Sequence, residues 1–474
     1  MGTVGSTVGT MKGAGKVAIH VVRYGCRSST IPQPRLLGLL ATCAAVVLGA
    51  GVPPVAMASL PEPQQWRVTA GPYSEVDPVY CAGLTAAVHC LALAWDRPGP
   101  DELGAPSVLY SADGGATWAH RSLPKEDAAT FAQVSCAEAP KGIDCAALSG
   151  PQVYGSTHMT TAWSTDAGQS WSYGATKTIP YASALTCTAV GTGVDCVALS
   201  LSDRVAYSTD GGATWKAARL SVATSAIATI ALEGVSCVDE QARADCAAVG
   251  DSGAGQAALV MYYSADGGAT WAPSSFASQR LPSMAGSWVA CAPTRTGVDC
   301  AETNFATTEQ ASSAFYSTNG GKSWAKSTGK AQAELSCASA GTSAECASGP
   351  FFSRDGGANW QVATLAPSVS AILAETVIPA ECFRSGAGAA CFLAVPGLAA
   401  PNRASAAGLY YSANGGDSWE AAPLPPGYTQ IASGSPLFPA VTCSSSLVCI
   451  AGGFDRPGSG GGGTYVASTE PAAR

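Results

Sequence analysis

Between Val108 and Ser412 the chain repeats one short pattern of apolar and polar positions. Aromatic-rich runs of three or four apolar residues end in serine: "VLYS" (108–111), "TTAWS" (160–164), "VAYS" (205–208), "MYYS" (261–264), "AFYS" (314–317), "PFFS" (350–353) and "LYYS" (409–412). Each is followed by a glycine-rich segment, a tryptophan and a second short run such as "WKAARL" (215–220) or "WQVATL" (360–365). An apolar run, a glycine turn and another run predict a β-hairpin. Upstream of each lies a second predicted hairpin with a cysteine on either strand, as in "GVSCVDEQARADCAAVG" (234–250). The unit therefore reads as strand A, strand B with a cysteine on each, a variable loop, strand C, a glycine turn and strand D.

The turn segment occurs seven times: "SADGGATW" (111–118), "STDAGQSW" (164–171), "STDGGATW" (208–215), "SADGGATW" (264–271), "STNGGKSW" (317–324), "SRDGGANW" (353–360) and "SANGGDSW" (412–419). Copies begin 36 to 59 residues apart, a period that suits one four-stranded propeller blade. Eight cysteine hairpins accompany the seven turns. The last hairpin, "VTCSSSLVCIAGG" (441–453), is followed by one strand, "GTYVAST" (463–469), and by no further turn. At the other end, "QQWRVTAG" (64–71) carries Trp66, which matches the tryptophan opening every D strand. The expectation is an all-β, single β-propeller of eight four-stranded blades, closed by the N-terminal strand. Seven blades is the alternative, if the short unit around Cys337 to Trp360 is degenerate.

The repeated turn resembles the Asp-box, or bacterial neuraminidase (BNR) repeat, S-x-D-x-G-x-[ST]-W. This resemblance implies a propeller scaffold like those of sialidases, sortilin-type receptors and photosystem assembly factors, and specifies fold far more than activity. Its key side chains here are Asp113, Asp166, Asp210, Asp266, Asn319, Asp355 and Asn414. A short Asp or Asn side chain can accept hydrogen bonds from backbone N–H groups further along a turn. Asn replaces the carboxylate at 319 and 414, an exchange that a turn tolerates and a general acid, nucleophile or metal ligand does not. The box is therefore read as architecture. An acidic residue also precedes the second cysteine at Asp144, Asp195, Asp245, Asp299 and Glu345, and five copies suggest a turn or a solvated edge.

Composition adds a compartment. Residues 1–58 hold five basic residues and no acidic ones, then the apolar run "LLGLLATCAAVVLGAG" (36–51) and an A-x-A-like site at Ala56-Met57-Ala58. That is the pattern of a secretory leader; the run is short for a membrane span, which needs about 20 residues. Residues 59–65 are read as a short linker and 66–474 as the propeller. Without the leader, 20 basic residues stand against 33 acidic ones, a net charge of about −13 that excludes nucleic acid as an expected partner. The sixteen cysteines outside the leader pair as Cys81/Cys90, Cys136/Cys145, Cys187/Cys196, Cys237/Cys246, Cys291/Cys300, Cys337/Cys346, Cys382/Cys391 and Cys443/Cys449. Constant spacing in an exported chain reads as local disulfides, and the spacing lacks the tight ligand pairs of a zinc site. The expected protein is secreted or periplasmic, with no membrane span, metal or cofactor, and monomeric.

Candidate chemistry lies where the repeat breaks. In a propeller the A–B and C–D turns share one face, and the B–C and D–A connections share the other, the usual face for function. There "WDRPG" (95–99) and "FDRPG" (454–458) occupy equivalent B–C positions, with "SDR" at 202–204 in the third unit. Ring closure would make the first two neighbours. Trp95, Asp96, Arg97, Asp203, Arg204, Phe454, Asp455 and Arg456 are the candidate binding residues. Arg offers a planar donor fork to carboxylates, and aromatic faces suit sugar rings. The plainer alternative for D-R-P-G is a β-turn with an internal ion pair. The expected partner is a glycan or an extracellular or periplasmic protein. A glycan-cleaving enzyme, a sialidase-like hydrolase or a polysaccharide lyase, is the alternative. No complete catalytic motif supports it: the R-I-P segment of sialidases is missing, and no catalytic residue is assigned.

Overall fold

Each predicted hairpin forms, and each finds its partners by register. A computed structural model describes residues 66–469, leaving out residues 72, 83–87, 97–105, 123–130, 150–158, 177, 180–181, 201–203, 222–229, 241–242, 253–257, 277–283, 307–312, 333, 368, 371–379, 386–387, 396–407, 423–440, 444–448 and 456–462. The leader and linker assigned to residues 1–65 lie outside the described residues.

The strands assemble into eight antiparallel-built sheets. Seven are continuous in sequence. Blade 1, for example, uses Tyr73–Ala82, His89–Asp96, Pro106–Ser111 and Ala119–Ser122 as strands A to D. Blade 2 uses Phe131–Ala139, Gly142–Ser149, Met159–Ser164 and Ser172–Thr176. Blades 3 to 7 follow in order, and the short unit, whose strand A is Ser336–Ser339, is a complete four-stranded sheet. The remaining sheet joins the two ends of the chain: Val441–Cys443, Cys449–Asp455 and Gly463–Thr469 are completed by Trp66–Gly71, with Trp66 opposite Thr469. That sheet packs against strand A of blade 7 and strand A of blade 1, so the ring closes. Closure leaves no sheet interface unpartnered.

The core lies between blades. Each hydrophobic cluster spans two neighbours, as where Leu91 and Leu93 of blade 1 meet Cys145, Ala147 and Ala162 of blade 2. The tryptophans that end the boxes fill these interfaces; Trp271, Trp324, Trp360 and Trp419 are all buried.

Seven of the eight expected disulfides tie strand A to strand B. They are Cys81–Cys90, Cys136–Cys145, Cys187–Cys196, Cys237–Cys246, Cys291–Cys300, Cys337–Cys346 and Cys382–Cys391, one in each of blades 1 to 7. In each pair the two residues face one another across the strands. For the eighth, Cys443 and Cys449 are likewise opposite in register, but their side chains lie outside the described residues, so that bridge stays an expectation. Spacing treats the two cysteines of a pair alike, and the structure distinguishes them. The strand B member also sits opposite the box serine of strand C, as Cys196 does with Ser208 and Cys346 with Ser353. Cys196 and Cys346 are accordingly buried, Cys196 among Ala146, Cys187 and Val194, and Cys346 among Ala301, Ala344 and Trp360. The bridge therefore anchors the box as well as the hairpin.

Hydrogen bonds stitch the blades at two radii. Near the axis, the serine before the first cysteine accepts the N–H of the next blade's first cysteine: Ser135 from Cys187, Ser236 from Cys291 and Ser336 from Cys382, at 2.9, 3.0 and 3.0 Å. At the rim, the tail of strand D crosses to the next blade. Arg219–Leu220 runs parallel to Thr270–Trp271, and Ser275–Phe276 to Ser323–Trp324. The same crossing persists as single bridges from Thr328 to Asn359 and from Thr364 to Ser418.

Two outcomes check this account. Substituting Asp210 by Ala removes the bonds that the box carboxylate accepts and should cost about 1–3 kcal/mol in denaturant unfolding, whereas Asn, already used at 319 and 414, should cost less. Full reduction should lower the melting temperature markedly, because each bridge closing so short a loop contributes about 2–3 kcal/mol in the loop-entropy description. An unchanged transition after confirmed reduction would contradict that.

Candidate functional site

The Asp-box is satisfied from within. Ser208 Oγ donates to Asp210 Oδ1 at 2.7 Å and accepts from Gly212 N at 2.9 Å. Thr214 donates its N–H to Asp210 Oδ1 at 2.8 Å and its hydroxyl to Oδ2 at 2.6 Å. Trp215 Nε1 closes the turn on the Gly212 carbonyl at 2.9 Å. Where Asn stands instead, one bond reverses: Asn319 Nδ2 donates to Ser323 Oγ at 2.8 Å, and Oδ1 still accepts Ser323 N at 3.0 Å. In blade 6 Asn359 Nδ2 takes the hydroxyl's place on Asp355 Oδ2. Desolvation pushes the Asp210 carboxyl up, but the bonds from Thr214 and Ser208 outweigh it and hold it below its ordinary range. Both carboxylate oxygens are engaged, so the box offers no chemistry.

The acidic residue before the second cysteine is not a solvated edge, and here the structure corrects the sequence reading. Asp245 and Asp299 are only 5% and 6% exposed. Each points at the next blade, where a box glycine makes room for it. A Cβ on Gly320 would lie 2.9 Å from Asp245 Oδ2, and one on Gly356 2.9 Å from Asp299 Oδ2. Both glycines also hold positive φ, 68° and 69°. The carboxylates then cap the neighbour's strand B: Asp299 Oδ2 accepts Ala344 N at 3.0 Å and Glu345 Oε2 accepts Ala389 N at 2.7 Å. These five residues are latches between blades. The signal was present in the sequence as a fixed pairing of acidic residue and double glycine, but which blade each faced was not.

The aromatic–Asp motifs occupy equivalent strand ends. Trp95 and Asp96 finish strand B of blade 1, opposite Glu75 and Tyr73. Phe454 and Asp455 finish strand B of the closing sheet, opposite Thr464 and Gly463. Strand A of blade 1 packs on that same strand B, so the two sheets are neighbours. Arg97, Asp203 and Arg456 lie outside the described residues, as do the side chains of Trp95, Asp96, Phe454 and Asp455. Arg204 is exposed, two blades from blade 1, at the start of strand C of blade 3 (Val205–Ser208).

A second polar group was not foreseen. It lies between blade 4, with strands A and B at Ile230–Asp239 and Ala244–Ser252, and blade 5, with strands A and B at Met284–Thr294 and Gly297–Ala306. A register shift between Leu232 and Gly234 leaves Glu233 as the extra residue of a bulge in strand A. Bulges re-aim side chains, and the Glu233 carboxylate accepts the N–H of Ser287 on blade 5. Gly234 permits the approach, since a Cβ there would stand 3.0 Å from the Ser287 carbonyl. Ser287 is opposite Asn304, and Val289 opposite Glu302, so these side chains share the face of blade 5 that meets blade 4. Asn304 Nδ2 donates to Glu302 Oε1 at 3.3 Å. Glu302 is 0% exposed, Ser287 2% and Asn304 2%. Burial drives the Glu302 carboxyl well above its ordinary value, despite the Asn304 bond. Glu233 is also raised, by desolvation and then by the charge of Asp251. Glu233 Oε2, Ser287 Oγ and Glu302 Oε2 are buried with no hydrogen-bond partner. The sequence did carry a signal. Two residues after the second cysteine stand Ala92, Ala147, Ala198 and Ala248 in blades 1 to 4, and then Glu302.

Among the described residues no cluster of three or more His, Cys, Asp or Glu is arranged to hold a metal ion, and no helix is long and apolar enough to cross a membrane.

With ring, box and latches described, the class of protein is defined: a β-propeller whose blades carry Asp-box turns. The BNR/Asp-box repeat family model matches residues 206–217 and 315–326, the boxes of blades 3 and 5. No curated protein matches the sequence. Among solved structures, the fucose-specific lectin from Aleuria aurantia is similar over 73% of this chain and 99% of its own, with 12% identity and a TM-score of 0.37. The phage phi92 endosialidase is similar over 87% of this chain and 70% of its own, with 9% identity and a TM-score of 0.42. A mutant of Trypanosoma rangeli sialidase with trans-sialidase activity covers 83% of this chain and 54% of its own, with 12% identity and a TM-score of 0.39.

The latch carboxyls set a pH dependence. Desolvation, then the hydrogen bond and charge of Glu240, raise Asp245 from 3.8 to about 6, against the pull of Lys322 and Arg243. Because the folded value exceeds the unfolded one, its contribution is full below about pH 4 and is lost as pH rises through about 6. The box carboxyls have the opposite sign and lose stability only as pH falls below their ordinary value. Melting temperature should therefore rise from pH 7 to pH 5, and Asp245→Asn should flatten that rise. A variant with an unaltered slope would contradict the latch.

Proposed function

We propose that this is an exported glycan-binding protein whose ligand docks on the face formed by the B–C and D–A loops. The observation that carries the reading is the occurrence of two aromatic–Asp–Arg–Pro–Gly segments on the equivalent strand ends of adjacent sheets. Paired aromatic and acidic groups, each followed by an arginine, supply a stacking surface, hydroxyl acceptors and a planar donor fork to one ligand. Export is supported by the basic and apolar character of residues 1–58 and by the disulfides of blades 1 to 7, which persist in oxidising compartments. The net negative charge favours neutral or cationic ligands over polyanions.

The test is a glycan array probed with the chain from residue 59 onward, alongside chromogenic glycosides. Binding to a defined subset of neutral glycans is expected, with about tenfold weaker binding for Asp96→Ala and Asp455→Ala. Binding that survives both substitutions, or an array without signal, would overturn the reading. Turnover of a glycoside would replace it by the glycan-cleaving alternative.

A further inference from the structure

The polar group between blades 4 and 5 stands apart from the aromatic–Asp loops, three or more blades around the ring, and the repeat gives no structural reason for it. The position of Glu302 is alanine in each of the four preceding blades, and the bulge of Glu233 has its counterpart in blade 2 at Ala132. At both positions the repeat places alanine. Here the interface instead buries the Glu302 carboxyl and a serine hydroxyl beside the half-buried Glu233, leaving Glu233 Oε2, Ser287 Oγ and Glu302 Oε2 without partners. An unsatisfied buried polar group costs free energy, and three facing one interface call for something that satisfies them.

The chemistry of the unsatisfied atoms narrows what that is. Ser287 Oγ carries a proton to donate. Glu302, driven towards its neutral form by burial, offers a second donor. Glu233, held by the Ser287 N–H, presents an acceptor oxygen, and the half-buried Asp251 carboxylate stands near enough to act on it electrostatically. A cation such as ammonium donates only, and an anion accepts only. Donors and acceptors meeting at one interface suit hydroxyl groups, which do both. We propose that the polar interface between blades 4 and 5, formed by Glu233, Asp251, Ser287, Glu302 and Asn304, binds a vicinal diol of a sugar or other polyol. Asn304 holds Glu302 in place through its amide, and Gly234 lets the two strands approach closely enough for one diol to span Glu233 and Ser287.

The repeat itself supplies variants expected to fold. Glu302→Ala restores the residue of blades 1 to 4, and Glu233→Ala that of blade 2. The experiment is thermal unfolding and isothermal titration of the chain from residue 59 onward with D-galactose, D-mannose, L-fucose and myo-inositol, using sodium, potassium and calcium chloride as ionic comparators. At least one polyol should raise the melting temperature saturably. Its dissociation constant should rise about tenfold or more in either alanine variant. No response to any of the four polyols, a response only to a cation, or a response in both alanine variants as strong as in the unaltered chain would overturn the site. So would a crystal structure grown in the responding polyol with only water between these residues. A polyol response without signal on the glycan array would remove the loop-face reading and leave this one standing.

Discussion

The close approach of each box to the blade before it is the constraint on which the rest of the structure depends. A four-stranded sheet must cover both of its faces, and in a ring each face is covered by a neighbour of the same design. The interface must therefore repeat. A Cβ on Gly357 would come within 2.6 Å of the Ala301 methyl, one on Gly321 within 2.9 Å of Ala247, and one on Gly416 within 3.0 Å of Ala347. Beside each of these contacts the acidic latch reaches the other glycine of the pair. Glycine is needed there twice over, for space and for positive φ. Tryptophan, serine and Asx residues of the box hold the turn that delivers those two glycines, and the disulfide holds the strands that receive them.

This division of labour explains why a segment rich in Ser, Asp and Thr does no chemistry. The Ser, Asx and Thr side chains of the box serve the turn, and the exchange of Asp for Asn at 319 is absorbed by reversing a single hydrogen bond to Ser323. The latch carboxyls are buried for a different end. Asp299 and Glu345 accept backbone N–H groups that a neighbouring strand presents, and at Asp299 that bond offsets part of the desolvation that raises it. Burial of an acidic group is thus ordinary in this ring, provided that it meets a donor. Glu302 and Glu233 are unusual because one oxygen of each meets none.

The sequence made the fold legible because the fold is periodic. Seven boxes and eight cysteine hairpins marked blade boundaries, strand order and disulfide partners, and the unmatched strand at each end pointed to closure through Trp66. What periodicity hid was direction. Alternation along strand B says that Asp245 and Ala247 share a face, but not that this face meets blade 5 instead of blade 3, so a latch was mistaken for a solvated edge. The polar interface between blades 4 and 5 was harder to see for a related reason. Glu233, Ser287 and Glu302 lie on three strands of two blades, at offsets of four before one cysteine, four before another and two after a third. Only the bulge at Glu233, which adds a residue to strand A, turns that side chain towards Ser287. The aromatic–Asp segments were visible because they repeat; Glu302 is informative because it does not.

A repeat protein can tolerate such a departure. Interfaces made many times over, between blades that in 1 to 7 each carry an internal disulfide, make stability nearly a sum over neighbours, so the cost of one polar interface falls on one term. The same carboxyl placed in a single-core domain would threaten the whole fold. Here seven other interfaces remain to hold the ring, and the disulfides of blades 4 and 5, Cys237–Cys246 and Cys291–Cys300, clamp the two hairpins that carry Glu233, Ser287 and Glu302. The scaffold thereby keeps unsatisfied polar atoms in fixed positions, the condition under which a small ligand loses least on binding. In this ring, blade-to-blade redundancy is what makes a costly polar interface tolerable, and rigidity is what would make it selective.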